Sequence, residues 1–224
     1  MKKLGIFVKQ PTPGRVKTRL AADVGDRMAA EIYAAFTADV LERFAKTADR
    51  RFLCYAPDSL EAAEHFQQLA QDNYQLWLQP DCGLGDRMNQ FFIAQIQSRA
   101  DRAILIGSDS PTIPPELMNQ AFVELEESDC VIGPATDGGY YLIGLSQRAW
   151  PIFDKIEWSS SQVLEQTVDR ITSAGASLAL LPPWYDVDSL EDLHMLRGHV
   201  QALRTTGQLG LELQHTESIL NSIP

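Results

Sequence analysis

The chain has 224 residues, enough for one large domain with its own core, and its 45% hydrophobic and 22% charged residues are those of a globular protein. Nineteen Lys and Arg stand against thirty Asp and Glu, for a formal net charge of −11. That balance excludes the broad basic face needed by a nucleic-acid duplex or an anionic membrane, and leaves room for a small anionic ligand gripped by a few local cations.

No apolar run approaches the ~20 residues of a membrane span. The N-terminal LGIFV (4–8) is too short for a secretory leader. Cys54, Cys82 and Cys130 have neither zinc nor disulfide spacing, which favours a reducing, cytoplasmic setting.

In chain order, LGIFV reads as the first strand, followed by a loop and a long helix over 26–48 with Met28, Ile32, Phe36, Val40 and Phe44 on one stripe. RFLCYA (51–56) and YQLWLQ (74–79) read as strands around a helix, and 85–100 as another helix before the apolar strand AILIGSD (103–109). A helix opening at Pro114-Pro115 follows. DCVIGPA and GGYYLIGL then flank the turn TDGG as an antiparallel pair. A helix around 160–174, a strand at 177–182 and a helix capped by Ser189 with Asp192 complete the pattern.

Strands apolar throughout, alternating with helices, predict a three-layer α/β/α fold with a mostly parallel mixed sheet, the antiparallel element at or near one edge. One domain over 1–205 and a weakly structured tail over 206–224 are expected. Ligands of such sheets bind beyond the carboxyl ends of the strands. That rule points to 9–19, 107–112, 133–140 and 184–188, the four places where the sequence becomes unusual.

The first is KQPTPGRVKTRL (9–20). Pro11, Pro13 and Gly14 make it a loop; Lys9, Arg15, Lys17 and Arg19 make it basic. Alternation of Arg15, Lys17 and Arg19 puts these side chains on one side of an extended segment, and Thr18 is placed to cap the next helix, so cations and free N–H groups meet as a phosphate site. It is not a Walker A loop, which would need G-K-[ST].

The second, Ser108-Asp109-Ser110-Pro111, ends a buried strand with a carboxylate suited to Mg²⁺ or Mn²⁺. Asp186 and Asp188, two apart in DVDSLEDL, can each meet it; Asp188 is favoured and Asp186 held in reserve. In TDGGYY, Asp137 can accept from an acceptor hydroxyl or act as its base, with Gly138, Gly139 and Tyr140 beside it. GLGDRM adds a glycine loop with Gly85 and with Arg87 in a helical first turn, both expected with Ser108 to bind the nucleotide phosphates, and WSSSQVL offers Ser159 to the acceptor.

Taken in order, KQPTPGRVKTRL, GLGDRM, GSDSP, GPATDGGYYLIGL, WSSSQVL and DVDSLEDL resemble a bacterial family with a glycosyltransferase-A fold, whose members are described as nucleotide-diphospho-sugar transferases. The resemblance spans roughly 1–200. More distantly the chain is similar to phospholactate guanylyltransferase and molybdenum cofactor guanylyltransferase. The resemblance implies that Pro13, Gly14, Lys17, Thr18 and Arg19 embrace a nucleotide and its phosphates, that Asp109 with Asp188 binds a divalent metal, and that Asp137, Gly138 and Gly139 border the acceptor. Ser189 or Ser160 stands where the family commonly has Thr.

The expected activity is metal-dependent transfer from a nucleotide-activated donor to a small-molecule acceptor, with Lys17 and Asp137 as catalytic groups. Glycosyl transfer from a nucleotide sugar leads, because the acceptor side is neutral or acidic. Nucleotidyl transfer from a nucleoside triphosphate to a phosphorylated acceptor is the alternative, and a non-catalytic nucleotide-binding module the second.

Overall fold

The computed structural model describes residues 1–208 and 213–223. Seven strands form one sheet: β1 (Lys2–Lys9), β2 (Arg50–Ala56), β3 (Gln75–Leu78), β4 (Arg102–Ile106), β5 (Cys130–Pro134), β6 (Tyr140–Ser146) and β7 (Leu178–Leu180), in the order β3-β2-β1-β4-β6-β5-β7. Every pairing is parallel except those of β6, which runs against β4 on one side and β5 on the other.

The antiparallel pair β6-β5 therefore lies near one edge, as the sequence pattern suggested, with only β7 outside it. β6 is buried along almost its whole length and needs a neighbour on both sides; the short, half-exposed β7 can tolerate an edge.

Helices α2 (Asp26–Phe44), α3 (Leu60–Ala70) and α5 (Pro115–Glu124) cover one face, burying Phe44, Phe66 and Phe122 against Leu4, Ile6, Ile104 and Leu142. On the other face α4 (Leu84–Gln95) and α6 (Val163–Ser173) bury Phe91, Phe92 and Ile171 against Phe52, Leu105 and Ile143. Two covered faces explain why these strands do not alternate apolar with polar.

The stripe on α2 does not stay on one face. Residues four apart advance about 40° around a helix, so four such steps carry the stripe nearly to the opposite face. Val40 and Phe44 meet the sheet, whereas Met28, Ile32 and Phe36 face a third cluster made with Leu20 of α1 (Thr18–Val24), Leu193 and Leu196 of α7 (Leu190–Thr205), and Leu220 of α8 (Gln214–Ser222).

Helix α8 corrects the expectation of a weakly structured end; of the tail 206–224, residues 209–212 and 224 lie outside the described residues. Its anchor is Asp39 of α2, fully buried, whose two oxygens accept the backbone N–H groups of His215 (3.1 Å) and Thr216 (2.7 Å). These are first-turn donors with no partner inside the helix. The cap comes from 176 residues away in sequence, which no local pattern reveals.

Asp39→Ala strands both donors. We expect a loss of about 1–2 kcal/mol, a fall in Tm of several degrees, and early proteolytic release of α8. Asp39→Asn, which retains an acceptor, should lose less; equal Tm for wild type and Asp39→Ala would remove Asp39 as the anchor.

Candidate functional site

A crevice of about 1020 Å³ opens along the carboxyl ends of β1 and β4 and the amino end of the reversed β6. Each element delivers its polar residues there because the strand ends where its apolar run ends. Lys9 closes β1; its N–H donates to the Tyr33 hydroxyl of α2 at 2.9 Å, and Ser108, just past β4, donates to the same oxygen at 3.0 Å. Ser108 is thereby turned to α2, buried behind the crevice wall.

The centre is Lys17. It has left-handed backbone angles (φ 48°, ψ 43°) and stands at the N-cap position of α1, so Thr18 is the first helical residue and not the cap expected from sequence. The segment is not extended either: Arg19 already lies in α1. The Lys17 side chain, only 2% exposed, passes inward over the Phe36 ring and ends between the carboxylates of Asp109 and Asp188, at 2.8 Å from the latter.

Burial disfavours the charged ammonium and lowers its pKa; the charges and hydrogen bonds of Asp109 and Asp188 outweigh burial and hold its pKa above the ordinary lysine range. Burial also works against the Asp188 carboxylate, yet Lys17 and Arg19 keep its pKa below the usual range. Arg19 grips the second oxygen of Asp188 at 2.6 Å while remaining largely exposed.

Asp109 and the 184–188 segment are held in register by the Val187 N–H, which donates to the Asp109 carbonyl at 3.0 Å. Asp186 points the same way and accepts from the Ser110 hydroxyl. Burial first, opposed by that hydrogen bond and reinforced by Asp109 and Asp137, raises its pKa to about 6. Four carboxylates (Asp109, Asp137, Asp186, Asp188) thus surround two cations (Lys17, Arg19) in mutual electrostatic contact. The surplus of negative charge and the half-exposed Asp109 suit a divalent cation.

Opposite stands the hairpin turn. The Gly139 N–H donates to Asp137 Oδ1 at 2.9 Å, while Gly138, at φ +93°, sends its carbonyl to the Leu164 N–H. A Cβ on Gly138 would fall 2.3 Å from the Ser161 carbonyl oxygen, so glycine here lets Ser159, Ser160 and Ser161 reach the crevice. Gly85 has a similar packing role: a Cβ there would meet the Trp158 indole at 2.8 Å.

Arg87 is pinned by the Cys82 carbonyl (2.7 Å) and by Gln79, whose carboxamide bonds the Val8 and Cys54 carbonyls.

The crevice therefore gathers Lys9, Arg15, Lys17, Thr18, Arg19, Arg87, Asp109, Asp137, Gly139, Tyr140, Ser159, Asp186 and Asp188. Pro13 and Gly14 lie on the exposed outer side of the loop, and Ser108, Gly85 and Gly138 support the wall from behind. Sequence reasoning missed Tyr33 and Gln79. The only available signal was a polar residue at a helix position near the loop and at the end of a strand.

Elsewhere, Asp39, Glu42 and His215 bring ligand-type atoms within 4.8 Å of one another, but the Asp39 oxygens there cap α8. Among the described residues no helix is long and apolar enough to cross a membrane.

This fold is shared by solved structures. A candidate nucleotide-diphospho-sugar transferase from Desulfovibrio desulfuricans G20 is 33% identical over 99% of this chain and 97% of its own, with a TM-score of 0.84. A nucleotidyl transfer enzyme from Methanothermobacter thermautotrophicus (14% identity, 92% and 99% covered, TM-score 0.59) and a 4-diphosphocytidyl-2C-methyl-D-erythritol synthase (11%, 88% and 96%, 0.52) share the fold alone. No curated protein matches the chain in sequence. A bacterial family described as uncharacterized conserved proteins (DUF2064) matches residues 40–160. With that match and a one-third-identical relative along its whole length, the chain belongs to the DUF2064 family and has the nucleotide-diphospho-sugar transferase fold.

Proposed function

We propose that the protein is a cytoplasmic transferase acting on a nucleotide-activated donor, with glycosyl transfer from a nucleotide sugar as its reaction. The observation that carries this reading is the Lys17–Asp109–Asp188 cluster at the carboxyl ends of the strands, facing a wall of hydroxyls. Its full-length relative, described as a candidate nucleotide-diphospho-sugar transferase, supports it.

In this reading Lys9, Arg15 and Arg19 hold the anionic oxygens of the donor. Asp109 and Asp188 hold Mg²⁺ or Mn²⁺, which supplies charge neutralisation for the departing diphosphate. Asp137 takes the proton of the acceptor hydroxyl, its remaining oxygen being free of the Gly139 contact. Ser159, Ser160 and Ser161 orient that acceptor.

Nucleotidyl transfer is the second reading. The observation favouring it is Arg87, already fixed by Cys82 and Gln79 and so ready to hold a second phosphorylated molecule. A nucleotide-binding module without turnover would bind equally with or without metal.

Assays with nucleotide sugars should show metal-dependent release of a nucleoside diphosphate, reduced about 10²–10³-fold or more in Asp109→Ala. Release of pyrophosphate from a triphosphate would shift the assignment to nucleotidyl transfer. Unaltered turnover in Asp109→Ala would sink both.

The raised pKa of Asp186 gives a second expectation. Its folded value, about 6, lies above the unfolded one, so the folded state holds the extra proton between about pH 4 and 6 and loses stability as pH rises through that window. Asp186→Asn keeps the Ser110 hydrogen bond without the charge. It should raise Tm by a few degrees at pH 8, on the order of 1–2 kcal/mol, and give no gain at pH 4. A gain independent of pH would refute the electrostatic origin.

A further inference from the structure

The Lys17 ammonium occupies the space between the two carboxylates to which the transferase reading gives the metal. Its side chain is 2% exposed, and two of its donors are committed, one to Asp109 and one to Asp188. Nothing else in the described crevice is placed to pair both carboxylates at once; Arg19 reaches Asp188 alone.

We infer that Lys17 is an internal counter-ion that makes the metal site conditional on the nucleotide: it fills the Asp109–Asp188 pair in the nucleotide-free protein and yields it when phosphate oxygens give the ammonium another partner. The inference rests on the transferase reading and assigns it an order of events.

A divalent ion and a buried ammonium cannot share two carboxylates without strong repulsion at close range in a medium of low dielectric. The ammonium cannot simply withdraw either. It would lose both partners while the Phe36 side of its pocket offers it no anion, and a buried unpaired charge is disfavoured. A phosphate changes this balance. Lys17 sits on a flexible four-carbon stem at the edge of the same crevice as Lys9, Arg15 and Arg19, so a phosphate held by those cations lies within its reach.

Release of Asp109 and Asp188 then accompanies phosphate binding. By linkage, whatever factor the nucleotide adds to metal affinity the metal adds to nucleotide affinity. The half-exposed Asp109 is the carboxylate through which exchange begins, since Arg19 holds Asp188 in place throughout.

The test is Mn²⁺ alone, titrated into nucleotide-free wild type, Lys17→Met and Lys17→Gln, with free Mn²⁺ followed by electron paramagnetic resonance. Both variants should bind one Mn²⁺ at least tenfold more tightly than wild type, and adding Asp109→Asn should abolish the gain. Lys17→Gln guards against a fold defect, because its amide still donates to one carboxylate; circular dichroism and Tm verify both proteins. If wild type binds Mn²⁺ as tightly as the variants, the counter-ion role is overturned while the metal reading stands. If none of the three binds Mn²⁺, the metal site itself is wrong and the inference falls with it.

Discussion

The crevice depends on one buried ionic contact. Lys17, Asp109 and Asp188 come from the loop after β1, the end of β4 and the segment before α7, and their charged atoms meet where no single element could bring them. Such a cluster is poor evidence of stability, because desolvation offsets much of the attraction. Its value lies in geometry: the Lys17 side chain can be buried only when both carboxylates are in place. Lys17 holds left-handed backbone angles at the start of α1 while its side chain is buried between the two carboxylates, so a local backbone choice accompanies the inward direction of the charge.

Around that contact the walls differ in chemistry. Cations line the side built from the β1 loop and α1; hydroxyls and a carboxylate line the side built from the hairpin turn and the serines. Behind both, hydrogen bonds use up groups that would otherwise compete for ligand. Tyr33 ties the ends of β1 and β4, Gln79 ties β1 to β2 and holds Arg87, and the Gly138 carbonyl ties the turn to α6. Apart from the Lys17 side chain, the residues these bonds hold are therefore positioned before any ligand arrives, which is where electrostatic catalysis gains most.

Much of this was legible in the sequence because it is local. Apolar runs closed by Lys9 and Ser108-Asp109, the TDGG turn and the Ser189–Asp192 capping box are patterns a few residues long, and each appears in the structure. What escaped was set by contacts distant in sequence. The α8 cap is supplied by Asp39, and the N-cap position went to Lys17 instead of Thr18 because the Lys17 side chain had partners more than ninety residues away. The alternation of Arg15, Lys17 and Arg19 suggested a common direction for the wrong reason. Lys17 and Arg19 do converge on Asp188, but from the start of a helix and from opposite degrees of exposure.

The winding apolar stripe of α2 has a consequence at the far end of the chain. Phe36 forms the floor beneath the Lys17 ammonium, and its other neighbours include Leu193, Leu196 and, through the same cluster, Leu220 of α8. The last helix, none of whose residues lines the crevice, is thus masonry under its base. Shortening the protein before α8 would remove no catalytic group, yet it would leave the slab on which the central charge rests without its outer support.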